Sequence, residues 1–134
     1  MEIFWLDFQD AVRGPCCFDL VSLIDDARRD LSATLGEALM NRYLAAFPEL
    51  DRGTFAAAYA LSGAQRDTRI LGNFARLLKR DGKPGYLVHV PRVWRQLETQ
   101  LCNPALAPLA NWFDRHMPSE RRRGLGLAFA HRAL

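Results

Sequence analysis

The sequence has 134 residues, of which 49% are hydrophobic, and it carries a net charge of +3. A chain of this length and composition can form one compact domain, but 18 basic against 15 acidic residues is too even a balance to favour nucleic acid as a partner. No apolar run approaches the roughly 20 residues needed to cross a bilayer, and the acidic N-terminus lacks the basic start of a secretory signal. We therefore expect a cytoplasmic protein that binds neither nucleic acid nor membranes.

The first segment of the chain combines a strand pattern with a helix start. The run EIFWLD at residues 2–7 is apolar and aromatic, which favours a short β-strand. Gly14 and Pro15 interrupt the chain and suit the beginning of a helix. From Phe18 to Leu31, apolar residues recur at three- and four-residue spacing, which is typical of an amphipathic helix. The pattern predicts that this helix turns four side chains inward, namely Leu20, Leu23, Ile24 and Ala27.

Two further helices are indicated in the middle of the chain. Ser32 is suited to cap the second helix, and Pro48 ends it. Thr54 is suited to cap the third, which carries apolar periodicity as far as the polar loop RDGKPGY. Ser62 and Gly63 suggest a break within it.

The C-terminal part of the chain predicts two more helices and a tail. Pro91 marks or kinks the start of one helix, and Pro104 opens another. The spacing of Trp94 and Trp112 predicts that both pack in the interior. Residues 118–134 suit a flexible tail. The sequence thus predicts a mainly α fold, with one short N-terminal strand followed by five or six helices in a single helical domain over residues 1–134.

Two acids near the N-terminus could bind a metal ion. Asp7 ends the expected strand and Asp10 follows three residues later, an arrangement in which two carboxylates can converge on a hard cation such as Mg²⁺. Acids are also common in turns, so both residues could instead cap the helix that begins near Pro15.

The segment WLDFQDAVRGPCCFDLVSL resembles the region that follows the catalytic loop in aminoglycoside phosphotransferases and choline kinases. In that family an I-D-[FW]-[EQ]-[DN]-A block precedes a [YF]-D-L motif. The helical segments, among them AAYALSGAQRDTRILGNFARLLKRDGKPGYL, are similar to cell-wall-recycling kinases that phosphorylate N-acetylmuramate and N-acetylglucosamine. The resemblance implies the C-terminal lobe of a protein-kinase-like fold, a Mg²⁺-binding role for Asp7, and a role for Asp19 in bracing the loop.

The same resemblance implies a kinase that uses ATP and Mg²⁺ on an amino sugar or an aminoglycoside. Phosphoryl transfer also requires a catalytic loop of the form H-[GR]-D with an Asn five residues after the Asp, and a nucleotide lobe. Neither occurs within these residues, so we expect the chain alone to be inactive and to bind neither cofactor tightly. The alternative is a non-catalytic helical interaction module, which exposed apolar surface would favour as a homodimer.

The remaining candidate residues have both structural and functional interpretations. Gln65 and Arg66 lie on a helix that passes under the substrate cleft in the resembling family; Arg66 could contact substrate or pair with Asp25 or Asp26 as a buried arm. Cys16 and Cys17 suit small buried residues better than a redox or metal site. The three histidines lack metal-ligand spacing. The run at residues 121–123 could bind phosphate, but such runs are more often solvated.

Overall fold

The computed structural model describes residues 13–118 and 120–122. This part of the chain is helical and contains no strand, so the mainly α prediction is confirmed. The strand expected at residues 2–7 lies outside the described residues. The five α-helices are α1 (Phe18–Ile24), α2 (Ala33–Ala46), α3 (Arg52–Asp81), α4 (Val90–Leu101) and α5 (Ala107–His116), and 3₁₀ segments at Pro84–His89 and Pro104–Leu106 lead into α4 and α5.

The main core lies between α3 and α4. Val93 and Leu97 on α4 have no solvent exposure and pack with Ala64 and Phe74 of α3 in one cluster. α5 joins this cluster through Phe113, whose ring meets that of Trp94 edge to face with centroids 6.0 Å apart. The expected interior position of Trp94 is therefore confirmed.

Helix α3 is continuous over 30 residues, or about 45 Å at the usual rise. Its N-cap is Asp51 and not Thr54 as expected. The Asp51 carboxylate accepts a hydrogen bond from the Thr54 amide at 2.8 Å, so Thr54 lies within the first turn of the helix. It ends at Gly82, whose φ of 61° is the left-handed conformation that glycine favours.

The break expected at Ser62 and Gly63 does not occur. Gly63 is buried inside α3, and a Cβ added there would lie 2.8 Å from Cδ of Gln100. The glycine is therefore a notch in α3 that lets the Gln100 side chain pass. Glycine is required at this position by the close approach of the Gln100 side chain, and not by a turn in the helix.

A smaller cluster joins α1 and α2 to the start of α3. Cys17, Leu20 and Phe55 are buried in it, whereas α2 has no buried residue. As expected, Ser32 caps α2, with its hydroxyl accepting from the Leu35 amide at 3.2 Å. The Tyr43 hydroxyl donates to the Cys16 carbonyl at 2.8 Å. Helix α2 is therefore held by partly buried side chains and few polar contacts.

Helix α1 is shorter than its apolar pattern suggested, since it ends at Ile24. Its buried stripe runs through Cys17, Leu20, Val21 and Ile24, at the i, i+3, i+4 and i+7 positions of one helical face. Leu23 lies about 100° from the centre of that stripe and is 56% exposed. The prediction that Leu23 packs inward is wrong.

Two other expectations need correction. Trp112 lies on the outer side of α5 and is 52% exposed, so it is not an interior residue. In the arginine run, Arg122 is buried and pairs with Asp114 and, at 3.5 Å, with Glu98 of α4. The expectation of a solvated charge is therefore wrong for Arg122, since its ion pairs connect the chain after α5 to both α4 and α5. Arg121 is exposed, and residue 123 lies outside the described part.

The cysteines behave as simple thiols. Cys17 is fully buried, and its sulfur lies 3.5 Å from the Ser62 hydroxyl. Cys16 and Cys102 are exposed, and all three residues are free of disulfides. Burial of Cys17 agrees with its expected packing role, while the expectation of burial is wrong for Cys16.

Candidate functional site

The segment at residues 25–31, which we call the linking segment, connects α1 to α2. The linking segment lies outside the helices, so its backbone carbonyl groups need partners from elsewhere. Three successive carbonyls find them in side chains of α3 and α4: Asp25 accepts from Arg66 Nη1 at 2.6 Å, Asp26 from Gln96 Nε2 at 3.2 Å, and Ala27 from Arg92 Nη1 at 3.2 Å. The two core helices thus fix the path of the linking segment.

A groove of about 660 Å³ lies between the linking segment, the first half of α2, and α4. An adjoining hollow of about 580 Å³ shares part of its wall and continues toward the C-terminal end of α4. The groove is rich in side chains that can exchange hydrogen bonds with a neutral polar ligand. They are Asp25, Asn41, Tyr59, Gln96, Thr99 and Gln100.

One edge of the groove carries a surface ion pair. Arg92 binds both carboxylate oxygens of Asp30, with Nε–Oδ1 at 2.8 Å and Nη2–Oδ2 at 2.7 Å. These hydrogen bonds hold the pKa of Asp30 below its usual range. Arg95 lies 3.8 Å from the same carboxylate and is mostly exposed. The bidentate geometry aligns the end of the linking segment with α4.

Asp25 is the carboxylate that lies deepest in the groove wall. Gln100 Nε2 donates to its Oδ2 at 2.7 Å. Burial raises the pKa of Asp25, and the positive charge of Arg66 and hydrogen bonds from Gln100 and Tyr59 oppose that rise. The pKa of the Tyr59 hydroxyl is raised by burial and by the negative charge of Asp25. Asp25 is therefore oriented by α3 and α4 together.

Asp67 lies behind Asp25 on α3 and has no solvent exposure. Its Oδ1 is 3.3 Å from Arg66 Nη1, while no polar atom of the described residues lies within hydrogen-bonding distance of Oδ2. Burial raises the pKa of Asp67 to about 7, and the negative charge of Asp25 adds to the rise. A buried carboxyl with one unpaired oxygen is costly when ionised, so the site favours its protonated form.

Among the described residues, the site residues predicted from the sequence do not come together in the groove. Asp7 and Asp10 lie outside the described residues, and Asp19 is exposed in the first turn of α1; their proposed roles stay predictions. Gln65 is exposed and Arg66 is half-buried. Arg66 opens on a separate hollow of about 260 Å³.

Of the two interpretations of Arg66, the contacts favour the structural arm, since its guanidinium holds the Asp25 carbonyl and the Asp67 carboxylate. The expected partner was a carboxylate of Asp25 or Asp26; the observed ion pair is with Asp67.

Sequence reasoning missed the cluster formed by Asp25, Asp67 and Gln100. A usable signal was present for two members. Asp67 falls on the same face of α3 as buried Ala60, Ala64 and Phe74, where a charge is unexpected. Gln100 falls on the same face of α4 as buried Val93 and Leu97, but nothing in the sequence indicated its partner, which is 75 residues away.

Within residues 13–118 and 120–122, no group of three or more His, Cys, Asp or Glu side chains could hold a metal ion. In the same part of the chain, no helix has the length and apolar character needed to cross a membrane.

Comparison with known proteins identifies the relatives of the chain. An N-acetylmuramate/N-acetylglucosamine kinase of Caulobacter vibrioides is 52% identical over 118 residues, which make up 88% of this chain and 32% of that protein. Proteins of the same name from Pseudomonas aeruginosa and Pseudomonas putida are 40% and 37% identical, each over 78% of this chain. The chain is a homologue of part of these kinases. The resemblance drawn from its motifs is thereby confirmed.

The match covers only part of each relative. The chain spans about a third of the length of these N-acetylmuramate/N-acetylglucosamine kinases. No protein-family model matches it. The groove and the partly buried Asp25–Arg66–Asp67 cluster thus lie in a chain that is homologous to about a third of these kinases.

Proposed function

We propose that this chain is the C-terminal part of an ATP-dependent small-molecule phosphotransferase, and specifically of an amino-sugar kinase of cell-wall recycling. The observation that carries the proposal is the 52% identity with a kinase named for N-acetylmuramate and N-acetylglucosamine, because it extends over 88% of this chain. An aminoglycoside substrate is the other option that the resemblance leaves, since the D-F-Q-D-A block is shared by the wider family.

The groove supplies the acceptor side of this proposal. A sugar presents several hydroxyl groups and an amide, and it needs oriented acceptors and donors more than charge. Asp25 is held by Gln100 at 2.7 Å and can accept hydrogen bonds from ligand hydroxyls. On the facing walls, Asn41 can donate and accept, and Thr99, whose hydroxyl donates to the Arg95 carbonyl at 3.0 Å, can accept. Exposed Gln65 remains a proposed contact at the outer edge of α3. Arg66 takes part by holding Asp25.

Mg²⁺ and ATP belong to the other side of the proposed reaction. We assign Mg²⁺ to Asp7, because Asp7 matches the Mg²⁺-binding Asp of the family that the motif resembles, with Asp10 as a second ligand; both residues lie outside the described part of the chain. The metal would neutralise charge on the transferred phosphate. Within these residues there is no H-x-D-x-x-x-x-N segment, so we propose that the chain alone does not transfer phosphate.

The decisive experiment compares the 134-residue chain with the longest in-frame protein that contains it. ATP consumption is measured with N-acetylmuramate, N-acetylglucosamine and kanamycin. We expect turnover only with the longer protein and only with the two amino sugars. Turnover with kanamycin alone would move the substrate to aminoglycosides, and a folded longer protein without any turnover would overturn the kinase assignment.

Two variants of the longer protein separate the metal from the groove. Asp7→Ala should abolish turnover without lowering thermal stability, because it removes metal positioning and no packing. Asp25→Asn should raise KM for the sugar by roughly tenfold or more, with a smaller effect on kcat, because it weakens an acceptor of ligand hydroxyls. Asp81→Asn, at the far end of α3, is the matched control and should leave both constants unchanged.

A second candidate function is a non-catalytic interaction module. Large apolar side chains are exposed on several helices, among them Leu23 (56%), Leu61 (57%) and Trp112 (52%). In a kinase these surfaces would meet other parts of the protein, and in a module they would join two copies. Light scattering of the 134-residue chain and of the longest in-frame protein distinguishes the two: a concentration-dependent dimer of both supports the module, and a clean monomer of the longer protein opposes it.

A further inference from the structure

The cluster behind the groove contains more acid than base. Two carboxyls, that of Asp25 on the linking segment and that of Asp67 on α3, are influenced by a single guanidinium, that of Arg66, which contacts the Asp67 carboxylate directly and Asp25 through its backbone carbonyl. One nitrogen of Arg66 serves both sides, with the Asp25 carbonyl at 2.6 Å and Asp67 Oδ1 at 3.3 Å. With both carboxyls ionised the cluster has a net charge of −1, and one bound proton makes it neutral.

The neighbouring groups do not compensate this charge. Tyr59 on α3 and Gln100 on α4 are neutral and can only donate hydrogen bonds to Asp25. Cys17 at the start of α1 lies near Tyr59, and its sulfur contacts the Ser62 hydroxyl. Asp26 adjoins the cluster but faces the arginines beside it on the linking segment. Among the described residues, Arg66 is therefore the one cation in contact with Asp67.

Because Asp67 is buried, an uncompensated negative charge on its carboxyl is costly. Asp67 is fully buried, and its Oδ2 lacks a partner among the described residues. A protonated carboxyl avoids most of the cost of an unpaired buried charge. Two acids that share a buried site commonly keep a proton for the same reason.

We propose that the pair of Asp25 and Asp67 keeps one proton near neutral pH, carried by the buried Asp67 carboxyl. Its release leaves an ionised Asp67 that competes with the Asp25 carbonyl for the same nitrogen of Arg66, which loosens the linking segment from α3. The proton links the groove wall to the core, because Asp25 both lines the groove and accepts the Arg66 hydrogen bond through its carbonyl. The proposal concerns the proton and the linking segment, so it is independent of which ligand the groove binds.

The direction of the pH effect follows from the pKa of Asp67. Burial raises this pKa from 3.8 to about 7, so the folded chain binds the proton more tightly than the unfolded chain does. Stability is then greatest at low pH within this window, falls as pH rises from about 4 toward 7, and levels off above that. Asp25 acts in the same direction, since burial raises its pKa too.

The test measures urea unfolding of the 134-residue chain at pH 5, 6, 7 and 8, with Asp67→Asn as the main variant. The wild-type midpoint should fall by roughly 1 M urea over this range. Asp67→Asn mimics the protonated carboxyl, so its midpoint should change little and should exceed that of the wild type at pH 8. Asp81→Asn is the control and should keep the wild-type slope. An Asp67→Asn variant with the wild-type slope overturns the proposal.

Two further measurements keep the test decisive if the variant does not fold. Carbon-13 NMR of the wild-type carboxyls should show Asp67 titrating close to neutral pH, and a midpoint below pH 5 refutes the shared proton. Amide exchange, corrected for its intrinsic pH dependence, should show lower protection of the Arg28 amide, which donates to the Asp26 carboxylate at 2.7 Å, at pH 8 than at pH 6. Equal protection at the two pH values overturns the loosening step.

Discussion

Two regions of the molecule are helical for different reasons. The inner region, made of α3, α4 and α5, is organised by a cluster of 12 buried residues. The outer region, made of α1 and α2, has a cluster of only three, and α2 contributes none of them. Burial fixes α3 and α4 in place, whereas α2 depends on its Ser32 cap, its partly buried face and the Tyr43 hydrogen bond. Helix formation and helix anchoring are therefore separate properties here.

The largest expected effect comes from opening a cavity in the inner region. Leu97 on α4 has no solvent exposure, so Leu97→Ala should lower the free energy of unfolding by about 2–5 kcal/mol. Leu23→Ala in the outer region is the matched control, and we expect a loss of less than about 0.5 kcal/mol because Leu23 is mostly exposed. Urea denaturation measures both. Similar losses for the two variants would erase the contrast between the regions.

A second variant tests how closely α3 and α4 fit together. Gly63→Ala places a Cβ 2.8 Å from Gln100 Cδ, so it should displace Gln100 from Asp25 and cost about 1–3 kcal/mol. In a Gln100→Ala background the clash is gone, and the same change should stabilise by about 0.5–1 kcal/mol through helix propensity. The double-mutant cycle measures this reversal of sign. Equal effects in both backgrounds would contradict the notch.

The helix caps offer the same chemistry in the two regions. Asp51→Ala removes the cap of α3 and should lower global stability by about 1 kcal/mol. Ser32→Ala removes the cap of α2 and should change global stability by only a few tenths of a kcal/mol, because α2 can open locally before the core does. Its effect should appear as faster amide exchange within α2. If Ser32→Ala lowers the global midpoint as much as Asp51→Ala does, α2 is part of the cooperative core.

The smallest expected effect concerns the surface of the linking segment. Arg29 lies 3.8 Å from Asp26 and is 84% exposed, so Arg29→Ala should alter stability by less than about 0.5 kcal/mol. Arg92→Ala, which removes the Asp30 pair and the Ala27 hydrogen bond, is the comparison and should cost more. Thermal melting at low and high salt measures both. An equal cost would show that position along the segment, and not anchoring, sets the effect.

The features that could be predicted from the sequence are local ones. The Ser32 cap, the helix start at Pro91 and the existence of α3 each depend on residues within a few positions of one another. The errors are nonlocal. Gly63 reads as a break unless Gln100 is known to cross it, and Leu23 is exposed because α1 packs its Cys17 and Leu20 face, and not its Leu23 face, against the smaller cluster.

The candidate site also has features that local sequence could predict and features that it could not. The motif around Asp7 indicated the wider phosphotransferase family, and the helical segments indicated its amino-sugar kinases, because each is a continuous run of sequence. The groove could not be predicted, since Asp25, Tyr59 and Gln100 come from three different elements and carry no shared pattern. Asp67 and Gln100, polar residues on the apolar faces of α3 and α4, were the two that the sequence marked as unusual.

The notch at Gly63 also constrains how the chain can change over generations. A side chain at position 63 is harmful while Gln100 fills the space above it, and it becomes favourable once residue 100 is short. The order of substitution is therefore fixed: residue 100 must shrink first, and only then can residue 63 grow. Positions 63 and 100, which are 37 residues apart, should therefore covary among homologues.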